Sequence, residues 1–318
     1  MSRSDFSIVL RAGIVAAAVV IISGCASQKA ATMQPSPGVE PEGQQVAQPL
    51  DPSVEVKGIV ETLRTGARKE RDEAYKRLVT IGEPAVPQLL ATLGDSDADV
   101  KEYAAAALGD IGDRRAVKPL LDMLANSKHR RYVAAWALGK IKAEEAVVPL
   151  IGCLSIKNDA LQKESTRALI SIGGPSVPAL IAALDSKDDD TRKFSARALG
   201  IIEDKSAEQP LVKRLKDDNQ DVASAAVLAL GTAGTHDCIA SLIGSLTDPN
   251  MMTRVNATIS LGTLAALDAV DPLTKIMDSD QDPYVREWSA RALENITGNR
   301  YKYRDEHGAM IYPYNLYR

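Results

Sequence analysis

Two leucine columns constrain this chain more than any other feature. One leucine, preceded by alanine in most units, recurs at Leu78, Leu108, Leu138, Leu169, Leu199, Leu230, Leu261 and Leu293, every 30 to 32 residues. A second recurs at Leu63, Leu93, Leu124, Leu154, Leu184, Leu215 and Leu246 and ends on Met277, every 30 or 31 residues. Chance does not keep two columns on one period. A fixed repeat of about 20–50 residues marks a stack of supersecondary units, each too small to bury its own apolar face and each covered by its neighbours.

Each unit reads as two helices. Val100, Tyr103, Ala104, Ala107, Leu108 and Ile111 fall on one helical face, and Gly112 then stops the helix. Val117, Leu120, Leu121 and Leu124 repeat the spacing on a second helix. Pro87, Pro119, Pro149, Pro178, Pro210 and Pro272 stand near the starts of second helices, where the N–H that proline lacks has no helical partner. The array opens on a lone second helix ending at Leu63 and closes on a lone first helix ending at Ile296, which gives eight helices of each kind. Aromatics are only 4% of the chain, so alanine and leucine carry the core. That suits closely packed helices, and the fold class expected is all-α. The net charge is −4 with both signs interspersed, and no basic stripe supports a nucleic-acid partner.

The first 25 residues stand outside the period. Arg3 and Arg11 precede an apolar run from Ala12 to Ile22, and Ser23-Gly24-Cys25 follows. This reads as an export signal; the run is short for a membrane-spanning helix, which takes about 20 apolar residues, and an ordinary signal peptide or an uncleaved anchor is the alternative to a lipoprotein signal. Its ending, IISGC, resembles the lipobox of bacterial lipoproteins. The resemblance implies cleavage before Cys25, lipidation of Cys25 and a membrane anchor through the acyl chains. Ala26 stands where aspartate would favour inner-membrane retention in a diderm, so the same resemblance implies the outer membrane, facing the periplasm. Pro, Gln, Gly and Ser then dominate up to Pro52, the composition of a flexible tether. The expected organisation is a signal peptide over 1–24, a lipidated linker over 25–52, a solenoid over 53–298 and a tyrosine-rich tail over 299–318.

The pattern V-R-x-x-A-A-x-A-L-G-x-I-G followed by A-V-x-P-L-I, over about residues 54–298, is similar to the HEAT-like repeats named after phycobilisome lyases. The resemblance implies a right-handed α-solenoid of about eight two-helix repeats, with second helices lining the concave face. It also implies that Arg71, Lys101, Arg131, Arg192, Arg254 and Arg286, seven residues before the first-column leucines, form an Asp/Arg ladder between repeats; Gln162 and Ala223 depart from it. The Asp- and Asn-rich turns before first helices read as helix caps. Asp95-x-Asp97-x-Asp99 and Asp278-x-Asp280-x-Asp282 look like calcium loops, but Val100 and Pro283 stand where an EF-hand needs glycine, and Ala106 and Ser289 where it needs glutamate.

Catalysis is not legible. Some proteins with this repeat hold iron on His-Glu pairs and hydroxylate a lysine derivative on a translation factor. Here His129, His236 and His307 are followed by Arg130, Asp237 and Gly308, so that oxidoreductase activity does not transfer. Bilin attachment, suggested by the family's name, does not suit an exported chain. Cys238 stands in a column otherwise of alanine and serine, and Cys153 lies three repeats away, too far for a disulfide; both are expected as free thiols. The expectation is a protein with no catalysis of its own, no cofactor and no bound metal; the alternatives are an enzyme accessory or metal-dependent oxidoreductase, which the family resemblance alone implies, and a purely structural spacer.

Binding is the remaining reading, to a protein or peptide. The second helices carry pairs running Glu61/Thr62, Ala91/Thr92, Asp122/Met123, Gly152/Cys153, Ala182/Ala183, Lys213/Arg214, Gly244/Ser245 and Lys275/Ile276. They are acidic near the start, uncharged in the middle and basic toward the end. An extended segment of complementary polarity would suit them; scattered charge without selection is the alternative. Tyr132 and Trp136, one helical turn apart, are either an interaction patch or packing against the adjacent repeat. The tail holds Tyr301, Tyr303, Tyr312, Tyr314 and Tyr317, and is either a docking segment or a cap over the last repeat.

Overall fold

The computed structural model describes residues 52–127 and 130–313. The segment expected to be a signal peptide, Cys25 and the residues up to Asp51 lie outside the described residues, as do His129, Tyr314 and Tyr317.

Sixteen α-helices follow one another among the described residues. The first four are α1 (Pro52–Thr65), α2 (Arg68–Ile81), α3 (Val86–Thr92) and α4 (Ala98–Ile111). Next come α5 (Val117–Asn126), α6 (Arg131–Ile141), α7 (Val147–Cys153) and α8 (Asp159–Ile172). Then come α9 (Val177–Ala183), α10 (Asp189–Ile202), α11 (Glu208–Arg214) and α12 (Gln220–Ala233). The last are α13 (Ile239–Gly244), α14 (Met251–Thr263), α15 (Val270–Ser279) and α16 (Pro283–Thr297). Even-numbered helices are the first helices of the sequence pattern and odd-numbered ones the second. Each even helix packs on the next even helix and on its own odd partners, the layering of an α-solenoid.

Several second helices are shorter than the apolar pattern suggested. α3, α7, α9 and α11 have seven residues, and a 3₁₀ turn precedes each, as it does the ten-residue α5 and α15. The last residue of that turn is the small column, and Ala85, Ala116, Ala146, Ser176, Ala207, Cys238 and Ala269 are all fully buried. Before the first helices, the Asx-rich turns act as caps. Asp97 accepts from the N–H groups of Asp99 and Val100, and Asp282 accepts from the N–H of Tyr284.

The Ala-Leu-Gly motif has a physical cause. A Cβ added to Gly139 would lie 2.6 Å from the Cα of Ala168, and one on Gly200 would lie 2.7 Å from the Cα of Ala229. Gly109 meets Ala137, Gly231 meets Ser260 and Gly262 meets Ala292 in the same way. The glycine of one first helix therefore receives the small residue before the leucine of the next, and the two backbones nearly touch.

The ladder is real but discontinuous. Arg192 grips Asp217 through Nε and Nη2 at 2.9 and 2.8 Å, and Arg254 grips Asp280 at 2.8 and 3.0 Å. Each arginine also donates to a carbonyl at the end of the preceding second helix, Ser186 at 2.8 Å and Asp248 at 3.0 Å. Gln162 makes the equivalent bond to the carbonyl of Leu154 at 2.8 Å. At the last repeat no further aspartate is available, and Arg286 donates instead to the backbone carbonyls of Arg304 at 2.7 Å and Asp305 at 3.1 Å. Those residues belong to a hairpin, β1 (Tyr303–Arg304) paired antiparallel with β2 (Met310–Ile311), an element absent from the all-α expectation. Tyr303 is buried against α15 and α16, so the described part of the tail covers the end of the core.

Candidate functional site

The second-helix layer splits each predicted pair. Consecutive helical residues point about 100° apart, so when one faces solvent the next turns inward. Asp122, Lys213 and Lys275 are exposed. Met123 and Cys153 are core residues, at 8% and 2% exposure, and cannot meet a partner. Arg214 is half-buried, with Asp185 at 3.3 Å and Asp217 at 3.5 Å. Lys216, which the pairs passed over, is exposed beside Lys213. The middle of this face is apolar and smooth, with Val148 72% exposed next to exposed Pro149, Gly152, Pro178 and Ala182.

The opposite layer holds a more elaborate arrangement at its first three helices. Tyr75 on α2 and Tyr103 on α4 lie with ring centroids 6.3 Å apart. The Tyr103 hydroxyl donates to Asp72 at 2.6 Å, and the Tyr75 hydroxyl donates to Asp110, which also binds Lys140 at 2.9 Å. Lys140 sits 5.4 Å over the ring of Trp136. Tyr132 donates to Glu102 at 3.1 Å, and Arg130 ties Glu102 to Asp99. Burial and then the Asp110 bond push the Tyr75 phenol well above its ordinary range; for Tyr103 the Asp72 bond is the main cause of a rise in the same direction. These hydroxyls stay protonated donors at any physiological pH.

A cavity of about 640 Å³ opens between α2 and α4. Tyr75, Tyr103 and Ala106 form its walls, with Arg68, Arg71 and Asp72 among the residues at its rim. At this joint α2 carries Val79 where α4, α6, α10, α12 and α14 carry their contact glycine, and α2 approaches α4 less closely than most neighbouring first helices approach each other. Trp136 lies against Gly109 of the preceding first helix and stays half-buried; Tyr132 likewise reaches back to Glu102. Sequence reasoning named Tyr132 and Trp136 but passed over Tyr75, Tyr103 and Arg130. The signal was there: Tyr75 stands in a column that elsewhere holds Ala, Thr or Val, and Val79 stands in one that holds glycine in five other repeats.

Among the described residues no group of three His, Cys, Asp or Glu side chains converges. His236 faces Asp268 at 3.5 Å on the surface, and His307 lies beside Glu306. Cys153 and Cys238 are buried free thiols.

HEAT repeats match the sequence over residues 56–139, 125–200, 158–231 and 208–294, together most of the chain. The chain belongs to the HEAT-repeat family. Importin beta shares the fold of this HEAT array, at a TM-score of 0.57 and 14% identity, over 76% of this chain and 41% of that one. The complex of CpcE and CpcF of phycocyanin lyase from a Nostoc species is similar at 22% identity and a TM-score of 0.38, over 67% of this chain and 88% of that one. Human deoxyhypusine hydroxylase is similar at 22% identity and a TM-score of 0.35, over 78% and 98%. Likeness at this level extends to the repeat fold and no further. No curated protein matches the sequence.

Proposed function

We propose that this HEAT array is a lipid-anchored scaffold of the bacterial cell envelope that binds a protein partner and performs no catalysis of its own. The anchor rests on the lipobox-like ending at Cys25 and on the tether that follows. The observation that carries the binding role is the α2–α4–α6 face. Tyrosine, tryptophan and arginine are the residues on which protein interfaces most often depend. Here Tyr75, Tyr103, Tyr132, Trp136 and Arg130 are held in place by hydrogen bonds and ion pairs beside a cavity. Such fixed side chains lose little freedom on binding, which favours affinity. An apolar side chain of the partner would lie against the Tyr75–Tyr103 pair, in the cavity that the two rings line.

The reading is tested in the full-length lipoprotein in its own membranes. A photo-reactive residue replacing Arg68 at the cavity rim should give a discrete cross-linked product, and Tyr103→Ala should abolish it. A product only from the same probe at Lys213 would move the docking face to the second helices. No product at either position would remove the scaffold reading, and stoichiometric iron in the purified protein would remove the claim that it lacks catalysis. Cys25→Ala should leave unprocessed precursor without lipid. A lipid-free wild-type chain beginning elsewhere would overturn the anchor.

A further inference from the structure

The first helices do not hold one another equally. Five joints carry the glycine contact, through Gly109, Gly139, Gly200, Gly231 and Gly262. Two do not. Val79 faces the α2–α4 joint and Ile170 the α8–α10 joint, opposite Ala107 and Ala198 in the same register. At both, the backbones of the neighbouring helices run close together over a shorter stretch than at the other five. A branched side chain in place of a hydrogen keeps the backbones apart, because two carbon atoms settle no closer than about 3.5–4.0 Å.

The α8–α10 joint is further distinguished by what replaces the lost contact. Ile170 lies near the C-terminal end of α8. At the other end of the two helices Asp190 is held by Lys157, by Lys193 at 2.7 Å and by Gln162 at 3.2 Å. Lys157 and Gln162 belong to the repeat before the joint and Asp190 to the repeat after it. One end of the joint is thus a charged tie on long side chains, which tolerates rotation. The other end lacks the backbone-to-backbone seat that would prevent it.

We infer that the α8–α10 joint is a built-in point of flexion, dividing the array into a stiffer block from α4 to α8 and another from α10 to α16. A solenoid's curvature is the sum of small rotations between repeats. A single compliant joint near the middle lets the two blocks change their mutual angle while each keeps its own surface intact. This holds whichever face binds a partner.

The test uses the full-length lipoprotein with spin labels on non-natural residues, which leaves Cys25 for its lipid. Labels at Glu144 and Lys205 span the α8–α10 joint; labels at Lys205 and Leu267 span two glycine joints over an equal number of repeats. All three positions are exposed. The first distance distribution should be broader than the second. Ile170→Gly should narrow it toward the control, and Ile170→Ala should do so in part while preserving helix propensity. Asp190→Asn should broaden it. Equal widths in the unmodified protein would overturn the inference. So would a width unmoved by both Ile170 variants.

Discussion

Replacing Gly200 by alanine and Gly152 by alanine should move stability in opposite directions, although the substitution is the same and both sites are helical. At Gly200 the new Cβ would stand 2.7 Å from the Cα and 2.8 Å from the Cβ of Ala229. Carbons rest at about 3.5–4.0 Å, so α12 must retreat by about 1 Å. Forcing a methyl into a filled contact costs about 1–3 kcal/mol, against a gain of about 0.5–1 kcal/mol from replacing glycine inside a helix. The balance is a loss of up to about 2.5 kcal/mol. At Gly152 nothing lies within 4 Å of the added atom, so the gain of about 0.5–1 kcal/mol stands alone. Urea unfolding of the full-length chain, followed by circular dichroism and by tryptophan fluorescence, measures both. A higher midpoint for Gly200→Ala as well as for Gly152→Ala would show that α10 and α12 yield freely, and the account of the Ala-Leu-Gly motif would fall.

Lys142, Glu203 and Ala265 hold φ angles of 55°, 60° and 48°, at the corner where other repeats place Gly82, Gly112, Gly173 and Gly298. Glycine at any of the three should raise the melting free energy by about 0.5–1 kcal/mol; a fall in thermal midpoint would contradict the strain. Burial alone would raise the Asp217 carboxyl, but the bonds from Arg192 and the Asn219 N–H outweigh it and hold it below the ordinary value. Its stabilisation is therefore complete above the unfolded value, near 4, and is lost as pH falls through the lower folded value. Asp217→Asn should cost about 3 kcal/mol near neutrality and flatten that acid limb, and an unchanged acid limb in stability-against-pH measurements would refute the assignment. Burial, helped by the charge of Glu208, pushes the Cys238 thiol up to about 11. Thiol reagents at mildly alkaline pH should modify it only as fast as the protein opens, and labelling as fast as in urea would count against its buried position.

The repeat boundaries, the helix order and the core columns were legible because the period repeats the same evidence eight times over. The Asx caps and Gly112 were legible because each answers a local backbone need, unpaired N–H groups at one helix end and a left-handed residue at the other. Which member of each second-helix pair faces out was not. Asp122 and Met123 differ by one residue, and a seven- or ten-residue helix gives too few turns to fix its rotation from pattern alone. The cavity between Tyr75 and Tyr103 was also missed. It depends on a distance between helices, and that distance is set by Val79, a residue that looks ordinary in any apolar face. The hairpin was unforeseen because its stabilising partner is Arg286, a member of the ladder column whose expected aspartate does not exist.

In a repeat protein the period encodes the fold and the departures encode everything else. One departure even accounts for another. Glu208 stands where other repeats have Val86, Val117, Val147, Val177, Ile239 and Val270, and it is buried to 6% exposure. A buried carboxylate needs donors, and Glu208 takes the backbone N–H of Thr235 at 2.5 Å, in the turn of the next repeat. That turn is also the one where the corner residue, Gly234, abandons the left-handed geometry for a φ of −77°. An added Cβ on Gly234 would stand 2.6 Å from the Cys238 sulfur, so the turn is folded tightly back upon its own helix. Glu208 and Gly234 form one unit on this account, the carboxylate holding a turn that the repeat pattern alone would not produce. Glu208→Val restores the column but strips the Thr235 N–H of its acceptor, and amide exchange at Thr235 should then accelerate strongly. Glu208→Gln keeps an oxygen in place and should retain most of the protection. Exchange as slow in Glu208→Val as in the unmodified protein would mean that the turn holds itself and that the carboxylate is a passenger.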